Sequence, residues 1–148
     1  MLSQMKGACI LKVNFYEFAH DELFKFAVIV AVHNGKWVFC KHENRSTYEC
    51  PGGHREPGEA ILETAKREFW EETGAKRYRL EPVCAYSVKN EIGETYGMLY
   101  FADILEFEKL PPHEIEKIEL FDQLPTDWTY PLIQPLLVEQ VGKRHWIQ

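Results

Sequence analysis

Apolar residues in the first third of the chain form two runs, the first interrupted by Lys25 alone, and a short polar turn separates them. The first run, FKFAVIVAV, extends from Phe24 to Val32, and the second extends from Trp37 to Cys40. Asn34-Gly35 lies between them, and this dipeptide favours a hairpin because both turn positions need a positive φ. The pattern therefore predicts two antiparallel core strands.

A helical periodicity follows in the middle of the chain. Leu62, Ala65 and Phe69 recur at the i, i+3, i+7 spacing of one buried stripe. The periodicity begins near Glu59, and Gly74 ends it, since glycine readily adopts the left-handed conformation that closes many helices. The spacing predicts one amphipathic helix between these two residues.

Five further segments are predicted to be strands or loops. The residues from Lys41 to Arg45 form a polar loop, and a short strand from Tyr48 to Gly53 ends in a glycine turn. After the helix, Arg79 to Lys89 and Tyr96 to Phe107 predict two longer strands. The segment from Ile115 to Phe121 predicts one more.

The C-terminal part of the chain predicts a second helix. Its apolar side is formed by Leu132, Leu136, Leu137 and Val141. Pro131 suits the first turn and Gly142 the end, and Pro135 leaves the start open. The order of strands, helix, strands and helix predicts an α/β or α+β sandwich in which helices cover both faces of a sheet.

Composition restricts the fold and the partners. The 148 residues are 45% apolar and 14% aromatic, which predicts a single globular domain over residues 1–148. A net charge of −6 argues against an extended nucleic-acid surface. No window reaches the roughly 18 apolar residues of a membrane span, so we expect no membrane partner and a cytoplasmic protein.

The cysteines carry no motif. They are Cys9, Cys40, Cys50 and Cys84. Their spacing contains no C-x-x-C pair, so neither a zinc site nor a disulfide framework is predicted. We expect buried free thiols in a reduced compartment.

Three carboxylates lie in the last two turns of the predicted helix. Glu68, Glu71 and Glu72 oppose the helix macrodipole, at a cost of roughly 0.3–1 kcal/mol for each charge near the end. Their i, i+3 and i+4 spacing adds repulsion between like charges. A bound divalent cation would remove both penalties and prefers hard oxygen ligands. The alternative is an ordinary solvated acidic helix end.

The spacing around these acids is that of a known signature. In order, the chain has Gly53, five residues, Glu59, seven residues, Arg67-Glu68, Phe69, one residue, Glu71-Glu72, one residue, Gly74 and Ala75. This pattern resembles the Nudix box of hydrolases that act on nucleoside diphosphates linked to another group, and every fixed position is filled. The resemblance implies a mixed sheet between helices, with the box forming a loop, a helix and a second loop beside the sheet.

The resemblance also implies a metal site. The implied ligands of Mg²⁺, or Mn²⁺, are the carboxylates of Glu68, Glu71 and Glu72 and the carbonyl of Gly52. Glu68 is also the candidate base for the attacking water. Glu59 is expected to anchor Arg67 or to act through water, and both are counted among the catalytic residues.

Residues outside the box complete the implied site. The family often uses one more acid from a distant loop, and Glu114 is preferred over Glu116 for this role, although either could be a surface charge. Gly52 and Gly53 are expected to form a tight turn with positive φ that exposes the backbone to phosphate. Arg45 and Arg55 are candidate substrate-binding cations.

The resemblance implies a Mg²⁺-dependent pyrophosphohydrolase. Nucleoside triphosphates of the 8-oxo-dGTP type are favoured as substrates. The alternatives are the 5′-triphosphate end of RNA, ADP-ribose, dinucleoside polyphosphates, and a nucleotide sensor without activity. An isomerase that uses Cys50 and a glutamate is a further alternative. Homodimers are common in the family, so a homodimer is possible.

Overall fold

The apolar run that begins at Phe24 forms a central strand of a mixed sheet with a helix on each face. The computed structural model describes residues 11–144. The strands are β1 (Lys12–Tyr16), β2 (Phe24–His33), β3 (Lys36–His42), β4 (Gly52–His54), β5 (Ala75–Lys89), β6 (Glu94–Phe107) and β7 (Ile115–Phe121). The helices are α1 (Ile61–Thr73) and α2 (Gln134–Arg144), and a 3-10 turn spans Asp21–Leu23.

The strands are arranged in the order β1-β5-β6-β2-β3-β7, and β4 is a branch that also pairs with β2. The pairing of β2 with β6 is parallel, whereas the other strand pairs are antiparallel. Strand β4 pairs with the first half of β2 through Phe26 and His54, and β3 pairs with its second half through His33 and Lys36. The N–H of Gly52 in β4 also donates to Glu72, so the short β4 is held next to α1.

Alternate residues of β2 are buried in opposite layers. Ala27, Ile29 and Ala31 pack in a cluster with the buried residues of α1. Val30 and Val32 pack in a second cluster with the buried residues of α2. A strand covered on both faces needs a nearly continuous apolar run, which is the pattern of this segment. The predicted sheet between helices is confirmed.

Helix α1 differs from its prediction in its start and in its buried stripe. It begins at Ile61, because the backbone of Ala60 is extended and its N–H donates to the Glu63 carboxylate at 2.8 Å. The prediction that Leu62 is buried is wrong, because Leu62 is 44% exposed and Ile61 takes its place in the stripe. Gly74 ends the helix as predicted, with a φ of 73°.

Helix α2 begins and ends later than predicted. Pro135, not Pro131, lies in its first turn, where the missing N–H of proline costs no helical hydrogen bond. The helix also continues through Gly142 to Arg144. The Arg144 guanidinium bonds to Glu17 at 2.6 Å and to the Val83 carbonyl at 3.4 Å, which fixes the last turn against the sheet.

Three strand predictions need correction. The strand predicted from Tyr48 to Gly53 is wrong, because the paired segment is Gly52–His54 and Tyr48 forms only an isolated bridge to Trp128. Strand β3 continues through Lys41 to His42 because it pairs with β7. Strand β5 begins at Ala75, directly after the glycine that ends α1, and the sequence pattern does not predict β1.

Two predictions from composition concern the cysteines and the membrane. Cys40, Cys50 and Cys84 are buried free thiols, as predicted, and Cys9 lies outside the described residues. Among residues 11–144 there is no helix with the length and apolar character that crossing a membrane requires.

Candidate functional site

An open cavity of about 530 Å³ lies where β2 and β4 meet the two helices. One end is acidic and glycine-rich and is lined by Gly52, Gly53, Glu68, Glu72 and Glu114. The other end is largely apolar and is lined by Phe26, Tyr86, Val88, Ile133, Gln134 and Leu137. Its size and its mixture of apolar walls with convergent polar groups are typical of a small-ligand site.

Two of the predicted acids reach into this cavity from the last turns of α1. The Gly52 N–H donates to Glu72 Oε1 at 2.9 Å, which ties the helix to β4. Burial raises the pKa of the Glu72 carboxyl to about 8, and the charges of Glu68, Glu49 and Glu114 add to this rise. Burial also raises the pKa of Glu68. The ionised form of Glu72 is therefore poorly stabilised by its surroundings.

Arg67 holds the carboxylates on the outer side of the site. Its Nε and Nη2 bond to the Glu59 carboxylate at 2.6 and 3.1 Å, so the predicted contact between the two is present. Its Nη1 bonds to Glu68 at 2.9 Å, and its Nη2 donates to the His54 carbonyl at 3.0 Å. The hydrogen bonds from Arg67 lower the pKa of Glu59 to about 2. Arg67 thus fixes Glu68 between α1 and β4, and the catalytic roles of all three stay predictions.

The predicted metal ligands are not all gathered in one place. Glu68 and Glu72 line the cavity, whereas Glu71 Oε1 lies 3.5 Å from Arg67 Nη1 and outside the cavity wall. In the part of the chain that the structure describes, no group of three or more His, Cys, Asp or Glu side chains is arranged to hold a metal ion. The donors nevertheless fit a hard divalent cation, because they are carboxylate oxygens and Glu72 is buried beside other acids, which raises its pKa.

The two glycines of β4 are required for different reasons. A Cβ atom at Gly52 would collide with the backbone carbonyl oxygen of Ala27, and one at Gly53 would collide with the carboxyl group of Glu68. The predicted positive φ is present at Gly52, at 158°, and absent at Gly53, and the predicted tight turn is wrong because both residues lie in a strand. Gly52 allows β4 to lie close to the backbone of β2, and Gly53 allows the Glu68 carboxyl to lie close to β4.

The two candidate acids after β6, Glu114 and Glu116, differ in their position relative to the cavity. Glu114 lines the cavity, and its Oε1 lies 3.4 Å from His42 Nε2. Glu116 instead forms an ion pair with Lys41 at 2.6 Å and does not line the cavity. This placement supports the preference for Glu114, whose part in catalysis stays a prediction.

The two candidate cations also differ. Arg45 lies near the mouth of the cavity, 2.9 Å from Glu49 and over the Tyr130 ring, with 6.0 Å from its Cζ to the ring centroid. Arg55 lines the cavity, yet it donates to the carbonyls of Glu59 and Phe24 at 2.7 and 3.1 Å and pairs with Asp21. Most N–H groups of Arg55 are therefore used within the fold, and substrate binding by either arginine stays a prediction.

Sequence reasoning did not identify the residues at the apolar end of the cavity. The sequence pattern assigns no site role to Phe26, Tyr86 or Gln134, which line this end. A signal for Gln134 does exist in the sequence. The buried residues Leu137, Val138 and Val141 follow it by three, four and seven positions, which places all four on one side of α2. Gln134 is therefore a polar residue in the apolar stripe of the helix.

We expect the acidic end to make the metal-free protein sensitive to pH. Between 4.5, the ordinary pKa of a glutamate, and about 8, folded Glu72 keeps its proton whereas unfolded Glu72 loses it. The folded state then binds more protons, so the free energy of unfolding should fall as pH rises through this window. Thermal unfolding in EDTA from about pH 5 to about pH 9 measures this slope.

Millimolar Mg²⁺ should raise Tm most at the upper end of this pH range, because it would bind the folded, ionised site. The Glu72→Gln variant serves as the control, since it has no carboxyl to titrate and should show a much flatter pH dependence. Equal slopes for the two proteins would contradict the assignment of the slope to Glu72.

Comparison with known proteins agrees with this geometry. Residues 23–131 match the family model described as NUDIX domain. The chain is 38% identical over 102 residues to YtkD of Bacillus subtilis (strain 168), whose name assigns it provisionally as an 8-oxo-dGTP diphosphatase. The match covers 68% of this chain and 64% of YtkD, so it spans less than two thirds of that relative.

Two solved structures have a similar fold. A mutant of the Bacillus subtilis pyrophosphohydrolase BsRppH superposes with a TM-score of 0.79 and 28% identity, covering 96% of each chain. The NUDIX domain of Shewanella oneidensis NrtR, solved with ADP-ribose, superposes with a TM-score of 0.64, covering 86% of this chain and 90% of that one. At 16% identity, the second likeness supports the fold alone.

Proposed function

The chain belongs to the NUDIX domain family, and from this premise we propose that it is a Mg²⁺-dependent pyrophosphohydrolase that cleaves a phosphoanhydride of a nucleoside triphosphate. The observation that carries the proposal is the single cavity that joins a buried acidic end to an apolar end. A nucleotide has the same two-part character, with phosphates at one end and a base at the other. The acidic end alone would repel phosphates, which is why the proposal includes a divalent cation.

Glu68 and Glu72 would hold the cation, with Glu71 joining them if its contact with Arg67 is released. When bound, Mg²⁺ supplies positive charge to the phosphate oxygens and helps to orient the leaving group. The residues of the chain itself have separate roles. Glu68 is the candidate acceptor of the proton from the attacking water, and Arg67 keeps its carboxylate in place.

The substrate of the 8-oxo-dGTP type is favoured by the similarity to YtkD. The 5′-triphosphate end of RNA is the second candidate, because Arg45 and Tyr130, which lie one over the other in the cavity lining, could contact a second nucleotide. A single domain over residues 1–148, a cytoplasmic location and a homodimer stay predictions.

The test is release of phosphate or pyrophosphate with Mg²⁺ and with EDTA. The substrates are dGTP, 8-oxo-dGTP, triphosphorylated RNA, ADP-ribose and diadenosine polyphosphates. We expect metal-dependent turnover that is highest on 8-oxo-dGTP. Turnover highest on RNA ends would replace the favoured substrate by the second candidate, and no turnover of any of them by the folded protein would reject the hydrolase proposal in favour of a nucleotide sensor.

The isomerase alternative depends on Cys50, and we expect Cys50→Ser to leave turnover within about twofold of the wild type. Burial raises the pKa of the Cys50 thiol, so it stays protonated and is poorly suited to acid–base chemistry. Turnover under saturating substrate, normalised to folded protein, is the measurement. Cys84→Ser, which alters a buried thiol outside the cavity, is the matched control. A loss of activity specific to Cys50→Ser would support a chemical role for the thiol.

A further inference from the structure

Gln134 is a buried polar residue that the proposed chemistry does not use. It opens α2, it is 6% exposed, and it lines the apolar end of the cavity. A glutamine placed in an apolar stripe loses water contacts, and this loss must be offset by hydrogen bonds. Its position therefore calls for partners.

One partner is visible and fixes the orientation of the amide. The backbone N–H of Cys50 donates to Gln134 Oε1 at 2.7 Å. Because a backbone N–H can only donate, the oxygen of the amide must face it, and the nitrogen must face away. Among the described residues, the Nε2 group donates to no protein atom, so two N–H donors are left for whatever fills the cavity.

The surroundings of this amide suit a flat ring. Phe26 and Tyr86 line the same end of the cavity, with their ring centroids 5.6 Å apart, and Val88 and Leu137 complete the apolar wall. Gly97 makes room for this arrangement, because a Cβ atom there would collide with the Phe26 ring. Phe26 and Val88 are partly exposed, so a nucleobase can stack on the Phe26 ring, whereas Tyr86 and Leu137, at 1% and 0% exposed, support this wall from behind.

The segment from Cys50 to Gly52 connects the two ends of the cavity. The N–H of Cys50 binds the amide of Gln134, and two residues later the N–H of Gly52 binds the carboxylate of Glu72. A ligand whose base contacts Gln134 is therefore directed with its phosphates towards the acidic end. This step rests on the proposed function.

We propose that Gln134 is the residue that reads the base, and that it selects purines with a carbonyl oxygen at position 6 over purines with an amino group there. Its free donors match the O6 acceptor of guanine. The 6-amino group of adenine would place its donors against the donors of Nε2, while Oε1 is already engaged by the Cys50 N–H. The same contact is available to 8-oxoguanine, which retains the O6 atom.

The test compares two ligands that differ at position 6 and, as a consequence, in the proton on the neighbouring N1. These are GMP and 2,6-diaminopurine riboside monophosphate, which carry an oxygen and an amino group respectively. Monophosphates avoid turnover, so equilibrium binding to the full chain can be measured by calorimetry with Mg²⁺. We expect the wild type to bind GMP roughly 10- to 100-fold more tightly.

The Gln134→Glu variant replaces the donor group Nε2 by an oxygen, which accepts hydrogen bonds when the carboxylate is ionised. The other oxygen remains to accept the N–H of Cys50. At about pH 9, where the introduced carboxylate is ionised, the preference for GMP should disappear or reverse. Gln140→Glu, in the same helix and outside the cavity, should keep the preference of the wild type. Because the comparison between ligands is made first on the wild type, the test stands even if a variant folds poorly.

Three results would overturn the inference. The wild type could bind the two ligands within twofold of each other or bind neither at millimolar concentration, or Gln134→Glu could keep the full preference. Hydrolysis of the corresponding triphosphates separates this failure from failure of the proposed function. Turnover without base selectivity rejects the role of Gln134 alone, whereas selective binding without turnover of any triphosphate rejects the hydrolase and leaves the base site.

Discussion

Replacing Glu72 by Gln is expected to lower metal-dependent turnover by about 10³-fold or more while the protein stays folded. The change removes the charge of a carboxylate in the acidic end of the cavity but keeps its shape. Oε1 remains to accept the N–H of Gly52, so the link between α1 and β4 should persist. Turnover per folded molecule, with Tm measured in parallel, tests both parts of this expectation.

A glutamate outside the site provides the control. Glu139→Gln makes the same chemical change at an exposed position of α2 and should leave both turnover and Tm near the wild-type values. In EDTA at about pH 9, Glu72→Gln should melt above the wild type, because it removes repulsion from neighbouring carboxylates. An inactive variant that also melts much lower would point to a structural role for Glu72. A variant with normal turnover would reject its place in the site.

The sequence was sufficient to locate the acidic end of the cavity because the information there is local. Two of the acids that line it, Glu68 and Glu72, lie one turn apart on one helix. Which acids face inward was not local information. Glu71 contacts Arg67 and lies outside the cavity. The position of Arg67 depends in turn on Glu59 and the carbonyl of His54, both of which precede the helix.

The apolar end of the cavity could not be predicted, because it depends on contacts between residues that are distant in the sequence. Cys50 and Gln134 are far apart in the chain, and their contact forms only when α2 packs on the sheet. Strand β1 was missed because its residues carry no turn signal of their own and become a strand by pairing with β5. The family resemblance predicted the layers of the fold correctly, but it did not indicate where α2 begins.

Alanine at the two adjacent glycines of β4 should affect different properties, stability at Gly52 and turnover at Gly53. Gly52→Ala places a methyl group against the backbone oxygen of Ala27, which cannot move without disturbing the pairing of β2 with β4. We expect the free energy of unfolding to fall by roughly 1–3 kcal/mol, which lowers Tm by about 2–4 °C for each kcal/mol in a chain of this size. Thermal unfolding measures this loss.

Gly53→Ala should leave stability nearly unchanged and lower turnover by about 10²-fold. Its methyl group meets the carboxyl end of Glu68, and this flexible end can swing aside at little cost in packing. The displaced carboxylate would leave Arg67 and its position at the acidic end. Gly93→Ala, where an added methyl group meets open space, is the control for both variants. Loss of stability without loss of specific activity in Gly53→Ala would contradict the assignment of Glu68 to catalysis, because it would show that moving this carboxylate does not affect turnover.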